Sequence, residues 1–364
     1  MTTHATLFTV CLLLASLCVG GVGTATAAAP SATDGAGSMD AAQSECSFPV
    51  ERTDATGETV RIDSEPERIV VLQPSDAQLA WEVGAQDRVV GMARTQYTSY
   101  LDGRSGKTNI KNDDGTVNIE QVIGQQPDLV IASNTTDPET VRELRRAGLT
   151  VYHFGLVTSL DEIARNVETV GSLVGECETA TEQANEFRLD VRTVERAAEL
   201  ADERPSVLYY FFGYTAGSET HIHDVIETAG GDNVAAEVGI ESYAELNPEV
   251  AVEQDPDWIL YPGHASAPNT AAYNETTAIR QGQTVELNED FISQPGPRVA
   301  GPLTQLAKQW NSEELAQANE SVTMANVTTP NESTTTGSSS SGPGFGFAVA
   351  AASLLATALL ACRD

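Results

Sequence analysis

The chain has 364 residues, enough for two domains of ordinary size, and its 52 acidic against 20 basic side chains give a formal net charge of −32. An acidic excess of that size repels phosphate and argues against nucleic acid as a partner. The acids run along the whole chain, only Lys107, Lys111 and Lys308 are lysine, and 41% of residues are hydrophobic; this fits a folded halophilic surface, screened by high salt, better than an acidic disordered chain.

Residues 1–29 read as a secretory signal peptide. Positions 7–22 are apolar and Ala25, Ala27 and Ala29 offer small-residue cleavage sites, although no basic stretch precedes them. Residues 30–45 are rich in Ala, Gly, Ser and Asp and form a flexible linker. Residues 46–157 read as a first α/β lobe. A hairpin turns near Thr56-Gly57, and a strand follows at 68–72. A helix is opened by Pro74, with Ser75 or Asp76 as N-cap, and closed by Gly84. Then come a strand at 89–92, a long polar loop at 93–116 holding Tyr97 and Tyr100, a helix at 118–124, a strand at 129–132, a helix at 138–147 and a strand at 150–154.

Residues 158–204 are helical. Ser159 with Glu162 forms a capping box. From 178 to 203, Ala180, Ala184, Phe187, Val191, Val194 and Ala198 recur at spacings of three and four, with no Gly or Pro before Pro205. That predicts a helix about 36 Å long at about 1.5 Å per residue, either an ordinary surface helix or a strut between two lobes. Residues 205–310 repeat the earlier rhythm, with strands at 206–212, 258–261 and 284–287 and helices at 221–229, 248–254 and 299–310. Strands separated by helices predict mainly parallel sheets. The fold class is therefore α/β, two lobes with mainly parallel sheets bridged by one long helix.

An internal repeat supports the strut. Asn118-Ile119-Glu120 leads through a helix to Pro127-Asp128 and a buried strand, and Asn247-Pro248-Glu249 leads likewise to Pro256-Asp257 and another. Pro ends each helix, and the residue before it is expected to be extended. Two related lobes leave a cleft at the carboxyl ends of their strands.

Residues 311–342 are rich in Thr, Ser, Asn and Glu and read as a coreless, glycosylated stalk. Sequons begin at Asn319, Asn326 and Asn331, with Asn134 and Asn274 adding two in the folded part. Residues 343–364, with Pro343-Gly344-Phe345, a short apolar segment and Arg363, resemble the PGF-CTERM sorting signal of archaeal surface proteins. The resemblance implies that an archaeosortase removes the tail and a lipid replaces it, which anchors the domain outside the cell; a plain C-terminal membrane anchor would place it likewise. Removing both terminal signals leaves Cys46 and Cys177. In an exported chain they suggest one disulfide tying the N-terminal segment to the long helix, with two free buried thiols as the alternative.

Other chemistry is sparse. His221 and His223 fall at a helix start, where as metal ligands they would need a carboxylate or a third His nearby, and His264 follows a strand at the expected cleft mouth. Neither a Gly-X-Ser-X-Gly elbow nor a phosphate-binding Gly-rich loop occurs, so the chain is read as a non-enzyme.

An ordered set of segments resembles the substrate-binding proteins of ABC importers for cobalamin, haem and ferric siderophores. The segments are Pro66-Glu67-Arg68-Ile69-Val70-Val71-Leu72-Gln73-Pro74-Ser75, Gly84-Ala85-Gln86-Asp87-Arg88-Val89-Val90-Gly91, the two Pro-Asp segments, Thr215-Ala216-Gly217-Ser218, Gly230-Gly231-Asp232-Asn233-Val234-Ala235 and Pro295-Gly296-Pro297-Arg298-Val299. The resemblance covers about residues 48–310. It implies a monomer with two lobes on one long helix and no intrinsic cofactor. The monomer carries cobalamin, or a ferric siderophore or haem, to a dimeric permease with ATPase subunits. It places ligand contacts at Tyr97, Tyr214 and Tyr243, with Gln73 and Arg298 in matched segments; flat macrocycles favour aromatic faces. Asp114 stands where bacterial cobalamin binders carry a Trp. Glu120 and Glu249 occupy the positions whose carboxylates pair with arginines on the two permease subunits. A surface adhesion protein displayed on its stalk is the reading from another class.

Overall fold

The computed structural model describes residues 46–328. Strands β1 (Val50–Thr53) and β2 (Thr59–Ile62) form the expected antiparallel hairpin. Asp54 fastens its turn: the buried carboxylate accepts from the backbone and hydroxyl of Thr56 and from His153 N, and it pairs with Arg145.

The first lobe continues through β3 (Ile69–Val71), α1 (Pro74–Glu82), β4 (Val89–Met92), β5 (Thr108–Asn109), α2 (Ile119–Gly124), β6 (Leu129–Ala132), α3 (Pro138–Arg146) and β7 (Val151–His153). Its sheet runs β5-β4-β3-β6-β7, all parallel. β3 and β6 are wholly buried, as continuous apolar strands covered on both faces must be. The cap of α1 differs from expectation. Pro74 takes the first helical position, where its fixed φ suits and its missing N–H costs nothing, so Gln73 is the N-cap. Ser75 and Asp76 lie two and three positions past the cap, too deep to cap; Asp76 Oδ2 instead accepts from Gln73 N at 2.9 Å and Ser133 N at 3.1 Å. The loop expected at 93–116 is partly ordered, holding two 3-10 turns and the edge strand β5.

Two helices follow, α4 (Leu160–Val174) and α5 (Cys177–Leu200). Ser159 caps α4 by accepting from Glu162 N, but the Glu162 carboxylate reaches back to Thr158 N, one residue beyond the expected partner. α5 is the predicted long helix. It buries Ala180, Ala184, Phe187, Val194 and Ala197, and its last turn uses Ala197 where Ala198 was expected. Cys46 and Cys177 are joined as a disulfide, with Cα atoms 5.5 Å apart.

The second lobe comprises β8 (Ser206–Tyr209), β9 (Tyr214–Ala216), α6 (His221–Thr228), β10 (Asp232–Asn233), α7 (Val234–Glu237), β11 (Tyr243–Glu245), α8 (Pro248–Gln254), β12 (Trp258–Pro262), α9 (Thr277–Gln281), β13 (Thr284–Leu287), α10 (Glu289–Ile292) and α11 (Ala300–Trp310). Its parallel sheet runs β10-β8-β12-β13, and β9 and β11 form a separate antiparallel ribbon. Numbered within each lobe, the parallel strands run 3-2-1-4-5 and 2-1-3-4, one order with β5 as an extra edge. One apolar core runs from β3 through α4 and α5 to β8 and α11.

The repeat extends to the backbone. Asp128 accepts from Glu67 N and Arg68 N at the start of β3, and Asp257 accepts from Ser206 N at the start of β8. The residues before the two prolines are not extended as expected. Gln126 has φ 49° and Asp255 φ 42°; each helix ends in a left-handed residue, the ordinary way to release its last carbonyls.

The expected stalk is corrected at its start. Residues 312–328 form a further helix, α12 (Ser312–Thr328), packed on α5 and α11. Leu315 and Ala318, three apart, are buried in the core, a stripe too sparse to stand out against the polar composition. The Asn319 and Asn326 sequons therefore fall on a helix. The signal peptide, the 30–45 linker, Asn331 and the 343–364 sorting signal lie outside the described residues. No described helix is long and apolar enough to cross a membrane.

Candidate functional site

The expected strand at 206–212 ends at Tyr209 because the next residues turn. Phe211 and Tyr214 exchange both backbone hydrogen bonds, at 3.0 and 2.8 Å, around the two-residue loop Phe212-Gly213. Both loop residues have positive φ, 50° and 90°, the geometry of a type I′ hairpin turn, where Asn or Gly is usual in the first place. A Phe there is strained, and the turn holds Phe212 63% exposed. The hairpin leads into the β9–β11 ribbon, where Tyr243 faces Ala216 and Tyr214 faces Glu245. Directly opposed residues share a face, so Tyr214 and Tyr243 stand together although 29 positions separate them in sequence.

This face borders a cavity of about 510 Å³, within the usual range for small-molecule sites, roughly 300–1,000 Å³. Tyr209, Phe211, Tyr214 and Tyr243 line it with Ile222, Pro262, His264 and Ser293 from the second lobe, and Tyr97 reaches it from the first. It lies beyond the carboxyl ends of β4, β8 and β12, as open parallel sheets dictate. Among the described residues, no carboxylate lines it. Burial raises the Tyr209 and Tyr243 hydroxyls well above the ordinary tyrosine value, so both stay neutral. Behind the wall, His221 is fully buried and burial lowers its pKa to about 4. Its Nε2 donates to Ile292 O at 3.0 Å, which leaves Nδ1 to accept from the Tyr243 hydroxyl at 3.4 Å.

A seam across the two lobes fixes Tyr97. Gln294 Nε2 donates to Tyr97 O at 2.9 Å; Tyr100 donates to Gln294 Oε1 and accepts from Gln78 Nε2. Arg298 stacks over Tyr100 at 4.9 Å and pairs with Glu82 at 2.5 Å. Gly296 lies so close to Gln78 that an added Cβ would sit 2.1 Å from its Oε1.

Of the sequence-predicted ligand contacts, Tyr97, Tyr214 and Tyr243 therefore converge on one cavity. Gln73 and Arg298 do not line it: Arg298 belongs to the seam, and Gln73 is bonded to Thr136 and Lys111 inside the first lobe. Asp114 closes a surface turn through Thr116. Sequence reasoning missed Tyr209, Phe211 and Phe212, although residues 209–214 hold five aromatics in six positions, a density that was itself a signal.

Glu120 and Glu249 are exposed in the first turns of α2 and α8. Capping is done by their neighbours: Asn118 Oδ1 accepts from Gln121 N at 2.9 Å, and Asn247 Oδ1 from Glu249 N at 3.0 Å. Neither Glu side chain has an ion pair or hydrogen bond with a described residue.

Two lobes with parallel sheets, one long helix and an aromatic cavity between them define a two-lobed solute-binding protein. A family profile described as periplasmic binding protein matches residues 69–296. The chain belongs to that family. It is 40% identical over 281 residues to a cobalamin-binding protein of Halobacterium salinarum, covering 73% of this chain and 75% of that one. It is 28% identical over 251 residues to a vitamin B12-binding protein of Vibrio cholerae, covering 66% and 87%. Among solved structures, the periplasmic vitamin B12 binding protein BtuF of Vibrio cholerae superposes with a TM-score of 0.59 at 25% identity, covering 70% and 98%. The heme binding protein HmuT superposes at 0.62 with 21% identity, covering 74% and 90%, a likeness of fold.

Proposed function

We propose that this chain is the extracellular substrate-binding component of an ABC importer, capturing a corrinoid between its lobes and delivering it to the permease. The observation that carries this is the cavity: a wall of aromatic rings with no carboxylate, in a chain of charge −32. Such a wall suits a large, flat, apolar face and rejects nothing electrostatically. The 40% identical relative bears the name cobalamin-binding protein, which supports the same cargo.

Tyr97, Tyr214 and Tyr243 contact the corrinoid, and Glu120 and Glu249 dock one to each half of a two-fold permease bearing ATPase subunits. The receptor works as a monomer. Its tail is exchanged by an archaeosortase for a lipid, which anchors it at the surface on a glycosylated tether. Calorimetric titration in high salt with cyanocobalamin, haem and a ferric siderophore tests the cargo. Saturable heat with cyanocobalamin is the expected result; heat only with haem or the siderophore would reassign the cargo.

A further inference from the structure

His264 has one ring nitrogen sealed and one open. Nδ1 is buried without a hydrogen bond, 3.9 Å from Glu289 Oε2. Nε2 bonds no described residue and is not among the buried atoms, and the ring lines the cavity. Aromatic rings hold the imidazole on two sides: Tyr97 edge-on at 5.7 Å and 80°, and Phe212 tilted at 5.5 Å. Phe212 is the residue placed there by a strained turn. The Glu289 carboxylate lies on the Nδ1 side but beyond hydrogen-bond reach, so the nitrogen the ring offers the cavity is the free Nε2, and a neutral imidazole nitrogen is the commonest metal ligand. No group of three metal-ligating side chains occurs among the described residues. A metal meeting His264 must therefore bring its other ligands with it, as the cobalt of a corrin ring does.

We propose that His264 Nε2 coordinates the cobalt of the bound corrinoid. This rests on the corrinoid reading above. The step is a ligand substitution without change of oxidation state: the Nε2 lone pair forms a cobalt–nitrogen bond, and one axial water leaves. The site would then distinguish corrinoids by axial chemistry, favouring a labile aquo form over one whose axial position is held by cyanide.

The test uses the purified chain in high salt with aquocobalamin and cyanocobalamin, followed by absorption spectroscopy and by binding titration. For the native chain the aquocobalamin spectrum shifts to that of a nitrogen-ligated corrinoid, while the cyanocobalamin spectrum barely moves. His264→Ala loses the shift and roughly tenfold or more of its aquocobalamin affinity, keeps cyanocobalamin binding, and regains the shift with added imidazole. Binding of both corrinoids with unshifted spectra overturns this proposal and leaves the corrinoid reading standing. Equal loss of both corrinoids in His264→Ala and His264→Gln also overturns it, making His264 a packing residue. Failure of the native chain to bind either corrinoid overturns the corrinoid reading and this proposal with it.

Discussion

The docking role proposed for Glu120 and Glu249 rests on their matched placement. Glu120 and Glu249 hold equivalent places, are exposed, and are relieved of capping by Asn118 and Asn247. Charges free at a rim set encounter and orientation more than affinity. Replacing both with Ala should leave cargo binding unchanged and reduce uptake roughly tenfold or more through lost docking; growth of a receptor-deleted strain on limiting corrinoid, beside a titration, checks this. Normal uptake would remove these residues from the docking face. His221 gives a residue-scale pH dependence. Its folded pKa of about 4 lies below the ordinary 6.5, so the unfolded state takes up a proton first as pH falls. Its contribution is complete above pH 6.5 and is lost between 6.5 and 4, amounting to roughly 3 kcal/mol at about 1.4 kcal/mol per unit. Chemical denaturation across that window should show a flatter curve for His221→Gln than for the native chain.

At the scale of elements, legibility followed how local each cause was. β3, β6 and β12 are short apolar runs between turn residues, and α5 keeps one face for 24 residues, so sequence revealed them directly. The cavity wall was hidden because β9 and β11 are three residues each and pair across α6, β10 and α7. No window of sequence contains that register. Tyr214 and Tyr243 were reached only through family resemblance, while Phe212 was hidden inside an apparent strand. α12 was hidden by composition, since Leu315 and Ala318 are the buried residues among its described side chains. A chain ending at Trp310 should therefore melt several degrees lower than one ending at Thr328, about 5 °C for a loss near 2 kcal/mol. Equal midpoints for the two truncations in calorimetry would make α12 dispensable.

For the whole molecule, α5 and the seam of Tyr100, Gln294, Gln78 and Arg298 both resist bending between the lobes. A helix yields only at Pro or another defect, and α5 has neither Pro nor Gly. Small-angle scattering with and without corrinoid should give the same radius of gyration within error; a marked contraction would contradict the strut. The charge of −32 acts at this scale too. Self-repulsion grows as screening falls, so the melting midpoint should drop steadily as salt is reduced from molar to millimolar concentrations, and a constant midpoint would remove the halophilic reading.

The shared strand order of the two sheets, with the same left-handed corner before Pro-Asp and the same capped glutamate in each lobe, has a consequence for ancestry. It is the imprint expected when a half-length gene is duplicated and fused, with the cleft falling where two copies would meet. The two halves contribute unevenly to the cavity. The second half supplies eight of the nine cavity residues and the first supplies Tyr97 alone, whereas Glu120 and Glu249 remain matched. The cavity is thus built almost wholly by one half, while the glutamates recur once in each.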